Sequence, residues 1–344
     1  MKIPARDVGT TVKAVTLLTF ILGLSLHPCP SEGAQKVRIT VPVVSLSMTP
    51  VYIAKGRDFF SEEGLEVDIT ATGGGGPDIM ALIAGDVEFT FTAGDVGIMA
   101  FQGGKRLRVV MTGLNKPIIN WAIHTEVARA RGITESTPLG EKIKALKGMN
   151  VGVTQVGSLT SHLANFVIRR AGYVPHQDVK IVAIGAGPTW VAALENRRVD
   201  VALMSPPVPD TAISRGFAAM FINNIKGDDP SLPEFLMEGL HTRPDVIERN
   251  PELVRKMVRA LVRANKWALG STAEEITTAL QPFLGRTDRS LLLTGVQSTL
   301  PALSPDGQTS ERLLQTTQDV LRQAGILKAP IPYAEFVTNE FLPR

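Results

Sequence analysis

An internal repeat at an offset of 112 residues restricts the fold more than any other feature of this sequence. Residues 67–75 follow the pattern V-x-I-x-A-x-G-x-G, and residues 179–187 repeat it without a gap. Each copy reads as strand, glycine-bearing turn, helix, short turn and strand. Chance matching of apolar residues is the alternative, because α/β proteins share such patterns widely. A gap-free match that includes both glycines favours two similar α/β lobes, and the period is too long for a solenoid.

Both copies alternate strands and helices with short connections, which predicts parallel sheets covered by helices. In the first copy we expect strands at 37–44, 66–71, 87–92 and 107–112, and helices at 50–60, 77–84 and 95–102. In the second we expect strands at 150–154, 179–183, 199–204 and 218–222, and helices at 159–171, 188–195 and 208–215. Residues 121–124 predict a strand near the crossover, and the polar stretch 126–140 predicts a loop.

The tail after residue 250 has helical character. Asn250 suits an N-cap and Pro251 suits the first helical position, and apolar residues then recur at helical spacing. Segments 272–284, 288–293 and 309–324 continue this pattern. We expect the tail to pack back on the first lobe. The predicted organisation is a first lobe of residues 36–120 and 240–344, and a second lobe of residues 121–239.

The first 33 residues resemble a secretory signal peptide. Three basic residues precede the apolar run 14–26, and small residues follow it. The run is shorter than the roughly 20 residues that span a bilayer, although an uncleaved signal anchor is the alternative. Cys29 is the only cysteine, so no disulfide can form within the chain; it is either removed with the signal or modified by lipid. We therefore predict export to the periplasm.

Composition and residue spacing favour binding over catalysis. A formal net charge of +3 gives no case for nucleic-acid binding. No histidine stands at a spacing typical of a metal site or a catalytic triad; the five are His27, His124, His162, His176 and His241. We predict a protein that is not an enzyme, without cofactor or bound metal.

The candidate binding residues lie in loops that follow predicted strands. In open α/β sheets, ligands bind beyond the carboxyl ends of the strands, where helix N-termini offer free N–H groups. Two facing lobes would build a cleft from six such loops. The candidate ligand-binding residues are Ser45, Ser47, Met48, Gly74, Gly75, Thr92, Asp95, Gln155, Gly157, Ser158, Thr160, Pro188, Ser205 and Pro206.

Each candidate also has a purely structural interpretation. The hydroxyls suit helix caps and the glycines suit tight turns. The glycine run at 73–76 is not a phosphate-binding loop, because no Gly-Lys-Ser/Thr follows it. For Asp95 we favour an N-cap over pairing with an amine of the ligand. For Trp190 and Tyr52 we favour core packing over stacking on a ligand ring.

Residues 50–67, P-V-Y-I-A-K-G-R-D-F-F-S-E-E-G-L-E-V, resemble the signature of the nitrate/sulfonate/taurine-type substrate-binding proteins, which are also similar to binders of thiamine-pyrimidine precursors. Asp58 stands where that signature usually has glycine. The resemblance continues, in the same order, through residues 81–88, 146–158, 193–207 and 250–254.

This resemblance implies a type II periplasmic-binding-protein fold, with two Rossmann-like lobes, a hinged cleft and a helical C-terminal return. It also implies a monomer that captures a small-molecule solute and presents it to an ABC permease in the inner membrane. No arginine occupies a strand-end loop, which favours a neutral or mixed-polarity organic solute over a small inorganic anion. The alternatives are the binding component of a sensor or of a non-ABC transporter, and an enzyme similar to the pyrimidine synthases. Those synthases use a cysteine-rich motif that this chain lacks.

Overall fold

Two five-stranded sheets organise the chain. The computed structural model describes residues 33–285 and 287–343, and Ala34–Arg344 forms one compact unit. The strands are β1 Gln35–Val41, β2 Leu65–Ala71, β3 Phe89–Thr92, β4 Arg108–Leu114, β5 Asn120–His124, β6 Asn150–Val153, β7 Lys180–Ala183, β8 Val201–Met204, β9 Ala218–Ile222 and β10 Glu238–Thr242. The first sheet has the order β2-β1-β3-β10-β4, and the second has the order β7-β6-β8-β5-β9.

Helices connect and cover these strands. The α-helices are α1 Thr49–Gly56, α2 Phe59–Glu62, α3 Gly75–Ala84, α4 Gly94–Gln102, α5 Thr125–Arg131, α6 Leu139–Lys144, α7 Leu159–Arg170, α8 Pro188–Glu195, α9 Val208–Ser214, α10 Pro244–Arg249, α11 Pro251–Gly270, α12 Ala273–Leu280, α13 Arg289–Thr299, α14 Glu311–Gln323 and α15 Tyr333–Phe336. Short 3₁₀ turns occur at Leu46–Met48 and Leu300–Ala302. No helix within residues 33–285 and 287–343 is long and apolar enough to cross a membrane.

Each sheet contains one strand that runs against its neighbours. β10 lies antiparallel between β3 and β4, and β5 lies antiparallel between β8 and β9. The chain therefore passes between the sheets twice, through residues 115–119 and 223–237. The two crossing segments lie side by side, because Phe235 N donates to Asn115 O at 3.0 Å and Asn224 Nδ2 donates to Ile119 O at 2.6 Å. The two covalent connections between the sheets therefore lie next to each other.

The core fills both faces of the sheets. Trp190 is fully buried against the second sheet, and its Nε1 donates to Leu203 O at 3.0 Å. Tyr52 is also buried, and its ring stacks on Phe283 with centroids 4.8 Å apart. The prediction that these two aromatic residues pack in the core is confirmed.

The C-terminal tail is helical, as predicted, and its first long helix begins where the sequence indicates. Asn250 Oδ1 accepts from Leu253 N at 3.0 Å, and Pro251 opens α11. α11 packs on α1 and β4, beside the first sheet. α14 packs on both α4 and α7, so the tail contacts helices from both halves of the molecule.

Three local predictions were wrong. The stretch predicted as a loop at 126–140 contains most of α5 and the first two residues of α6; only a few of its side chains are buried, so its apolar periodicity is weak. The single helix predicted at 50–60 is broken at Asp58, which adopts φ 60°, a conformation in which aspartate substitutes for glycine at little cost. The strand β10 was not predicted at all. The predicted signal peptide lies almost entirely outside the described residues.

Candidate functional site

A small cavity lies where the strand-end loops of the two sheets meet. Its volume is about 40 Å³, room for a few water molecules at most. The segments after β1, β2 and β3 form one wall, and the loops after β6 and β8 form the other. Seven of the predicted binding residues line it: Ser47, Gly74, Gly75, Thr92, Ser158, Thr160 and Ser205. A larger molecule can therefore enter only after the walls separate.

The other predicted residues lie around this cavity or away from it. Ser45 Oγ accepts from Ser205 Oγ at 2.8 Å and joins the two walls, and Pro206 O does the same by accepting from Leu46 N at 3.0 Å. The Gln155 side chain lies over Gly74, so that a Cβ added there would be 2.8 Å from Gln155 Cδ.

Three further predicted residues have other surroundings. Met48 belongs to the hydrophobic core, and Gly157 is an exposed turn residue with φ 79°. Pro188 lines a separate apolar groove of about 630 Å³ that runs between α8, α9 and residues 282–285 and 287.

The hydroxyls on the second-sheet wall form a bonded cluster. Ser158 caps α7 by accepting from Ser161 N at 3.4 Å. Thr154 Oγ1 donates to Ser158 Oγ at 2.9 Å, and Ser158 Oγ lies 2.9 Å from Thr160 Oγ1. Ser45 likewise caps the 3₁₀ turn at Leu46–Met48. The capping interpretation therefore holds for Ser158 and Ser45, although Ser158 also faces the cavity.

The prediction that Asp95 caps a helix was wrong. α4 begins at Gly94 after the extended residue Ala93, and Asp95 makes no capping hydrogen bond. Its Oδ2 instead lies 2.6 Å from Nδ1 of His162, and both side chains are buried. Because Asp95 is on α4 and His162 is on α7, the pair joins the two halves of the molecule. The two residues are 67 positions apart, so no sequence spacing indicates their pairing.

Two buried carboxylates near the cavity were missed in the sequence. Glu238 begins β10 and lines the cavity wall, while Asp78 lies on α3 and is completely buried. Burial raises the pKa of Asp78 to about 7, although nearby hydroxyls oppose the shift; Thr72 Oγ1 donates to its Oδ1 at 2.8 Å. Burial, followed by the charges of Asp95 and Asp78, raises the pKa of Glu238 well above its ordinary value.

Several polar atoms of this region have no hydrogen-bond partner among the described residues. They are Asp78 Oδ2, Thr92 Oγ1, Asp95 Oδ1 and Glu238 Oε2. Thr92 and Thr40 lie near Asp78 and act against the rise in its pKa, yet neither hydroxyl makes a hydrogen bond of good geometry. Buried polar atoms are rarely left unpaired in folded proteins. Buried oxygen atoms at or near the cavity can therefore accept further hydrogen bonds.

Replacing Asp78 by asparagine should remove a pH dependence of stability. The pKa of Asp78 is about 7 in the folded chain and near 3.8 when unfolded, so its contribution is greatest at low pH and is lost as pH rises toward 7. The wild type should lose up to about 4 kcal/mol relative to Asp78→Asn between pH 4 and pH 8, at about 1.4 kcal/mol per pKa unit. Urea unfolding of both proteins across this range measures the difference.

The comparison with the variant is needed because His241 has the opposite effect. Burial lowers the pKa of His241 to about 4, so its contribution is lost as pH falls from about 6.5 toward 4. Subtracting the Asp78→Asn curve from the wild-type curve cancels this term. A difference between the two proteins that stays constant with pH would contradict the assignment to Asp78.

A family model described as NMT1/THI5-like matches residues 45–274, more than half of the chain. The chain belongs to the NMT1/THI5-like family. The match covers every residue that lines the cavity except Pro42 and Val43, and it includes Asp78, Asp95, His162 and Glu238. It also covers all five segments that carry the predicted resemblance.

Relatives of this NMT1/THI5-like chain are binding proteins. The riboflavin-binding protein RibY of Chloroflexus aurantiacus is 27% identical over 355 residues, which cover 97% of this chain and 94% of that protein. The ligand-binding component of an ABC-type import system from Staphylococcus aureus, with zinc bound, gives a TM-score of 0.72 at 12% identity and covers 89% of this chain and 97% of that one. The periplasmic aliphatic sulphonate binding protein SsuA from Escherichia coli gives 0.65 at 16% identity, with 89% and 99% covered.

These similarities confirm the predicted fold class and the resemblance to the nitrate/sulfonate-type binding proteins. The zinc bound to the Staphylococcus aureus protein does not indicate a metal site in this chain. Within residues 33–285 and 287–343, no group of three or more His, Cys, Asp or Glu side chains is placed to hold a metal ion.

Proposed function

We propose that this protein is an exported solute-binding protein that captures a small organic molecule in a cleft between two lobes and delivers it to an ABC importer. The observation that carries the proposal is the cavity itself: both sheets contribute its polar wall from the carboxyl ends of their strands. Family membership and the ABC-type and periplasmic relatives support the partner and the compartment. In this proposal the protein acts as a monomer in the periplasm, binds no nucleic acid and is not an enzyme.

The proposed lobes are residues 36–120 with 240–344, and residues 121–239. The hinge is the pair of crossing segments at 115–119 and 223–237, which are the only covalent connections between the two sheets among the described residues. A cavity of about 40 Å³ represents a closed cleft, so rotation about this hinge admits the solute. A solute that contacts both walls then stabilises the closed form by its contacts to each.

A thermal-shift screen of the mature protein tests the proposal. The solutes are sulfonates, aromatic acids, pyrimidines, amines and riboflavin. A bound solute at 100 times its Kd should stabilise the protein by about 2.7 kcal/mol. Turnover of a solute without stabilisation by any member of the screen would refute solute capture.

Replacing Gly75 by alanine should weaken binding of the solute found by that screen by about tenfold or more. A Cβ at Gly75 would lie 2.9 Å from Val96 Cγ2 and 3.0 Å from Thr92 Oγ1, so the methyl group occupies the cavity and displaces its wall. Isothermal titration calorimetry measures the change in Kd.

The neighbouring glycine provides a matched control. A Cβ at Gly76 meets no atom within 4 Å, so Gly76→Ala should keep the wild-type Kd within about twofold. Equal losses in the two variants would show that the effect arises from the helix start and not from the cavity.

A further inference from the structure

Three buried carboxyl groups from separate elements lie at or near the cavity, and Glu238 is the one that lines it. Asp78 comes from α3, Asp95 from α4 and Glu238 from β10, and their side chains are 0%, 0% and 3% exposed. They are close enough for the charges of Asp95 and Asp78 to act on Glu238. Only one basic group faces them in the described part of the chain: His162, which is already engaged with Asp95. This region therefore has more carboxyl groups than positive groups.

A second observation, made at the cavity wall, points to a ligand. The hydroxyl of Thr92 is 0% exposed, has no hydrogen-bond partner within the described residues, and belongs to the cavity wall. Glu238 lies on the same wall with Oε2 unpartnered. An unpaired hydroxyl and an unpaired carboxyl oxygen that line one cavity can both accept hydrogen bonds from a bound molecule.

The wall also limits what the molecule can be. No lysine, arginine or histidine lines the cavity, and its one ionisable residue is Glu238. A cation placed there would favour the ionised form of Glu238, whereas an anion would oppose it. A metal ion lacks its ligand set, because the described residues contain no metal-binding cluster. The group that fits carries several N–H donors on one positive centre.

We propose that the cleft recognises its solute through an organic nitrogen cation, such as an amidinium, guanidinium or ammonium group, held by Glu238 and Thr92 of the cavity wall, with Asp78 as a nearby buried carboxyl group. The inference rests on the proposed function and names the class of solute. It separates this chain from the sulphonate binding protein described above, since an anion would oppose the ionised form of Glu238. A charged donor paired with a carboxylate also forms stronger hydrogen bonds than a neutral one.

Three molecules of similar shape test whether the cleft recognises a positive charge on the solute. Benzamidine, benzamide and benzoate present an amidinium, an amide and a carboxylate on the same ring, and calorimetry gives the Kd of each. Benzamidine should bind at least tenfold more tightly than benzamide, and benzoate should bind least. Benzamidine that fails to bind, or that binds no more tightly than benzoate, overturns the proposal.

Two isosteric variants test the residues. Glu238→Gln and Asp78→Asn should each reduce the preference for benzamidine over benzamide by at least tenfold, and Glu141→Gln, at an exposed position, should keep it. Circular dichroism identifies a variant that fails to fold. In that case the binding preference of the other variant tests the assignment. A preference unchanged in every folded variant overturns the assignment. A different result would refute solute capture itself, namely that no solute of any charge class binds.

Discussion

Replacing His162 by alanine is expected to destabilise the folded chain by about 3 kcal/mol. The variant leaves Asp95 buried and without its only hydrogen-bond partner in the described chain, and a buried polar group left unsatisfied costs about 1–3 kcal/mol, or more if it is charged. Because the pair joins α4 to α7, its removal should destabilise the contact between the two halves of the molecule. Urea unfolding measures the destabilisation, and small-angle X-ray scattering should show a larger radius of gyration.

A double-mutant cycle assigns this effect to the pair. Asp95→Ala combined with His162→Ala should cost at least about 1 kcal/mol less than the sum of the single changes, because contacting residues are coupled. The exposed pair Arg106–Glu335, with its atoms 2.7 Å apart, is the control and should give less than about 1 kcal/mol in the same cycle. Additive costs for Asp95 and His162 would contradict the role of the pair.

Replacing Trp190 by alanine is expected to cost about 4 kcal/mol, the largest loss at any single position considered. The side chain is fully buried, and its removal leaves a cavity in the core behind the second sheet. Trp190→Phe should cost less, since it keeps most of the apolar surface and loses the hydrogen bond from Nε1 to Leu203 O. Chemical denaturation with an unchanged m-value measures both.

Trp267 is the matched control for this core position. It is partly exposed at the edge of the main core, with the guanidinium of Arg57 4.9 Å from the ring centroid. Trp267→Ala should therefore cost less than half as much as Trp190→Ala, because less apolar surface is buried. Similar losses at Trp190 and Trp267 would show that the second-sheet core is not the source of the effect.

The missed strand β10 explains why the site was only partly predictable. Its residues Glu238–Thr242 include three polar side chains, although all five residues are buried. Such a strand lacks the alternation that marks a half-buried strand. The signal available was a single acid within the apolar run 235–240, which is costly to bury unless a partner is supplied. That signal would have identified Glu238 as a functional candidate.

The sequence alone determined the α/β class, the duplicated pattern and the loops from which the cavity is built. These follow from periodicity, glycine placement and the strand-end rule, which are local properties of the chain. Only the tertiary structure decided which polar groups meet. Asp78, Asp95, His162 and Glu238 come from α3, α4, α7 and β10. The contact of Asp95 with His162, and the raised pKa values of Asp78 and Glu238, depend on which elements exclude water from one another. The duplicated pattern thus predicts where a cleft forms, while the packing across that cleft sets its charge.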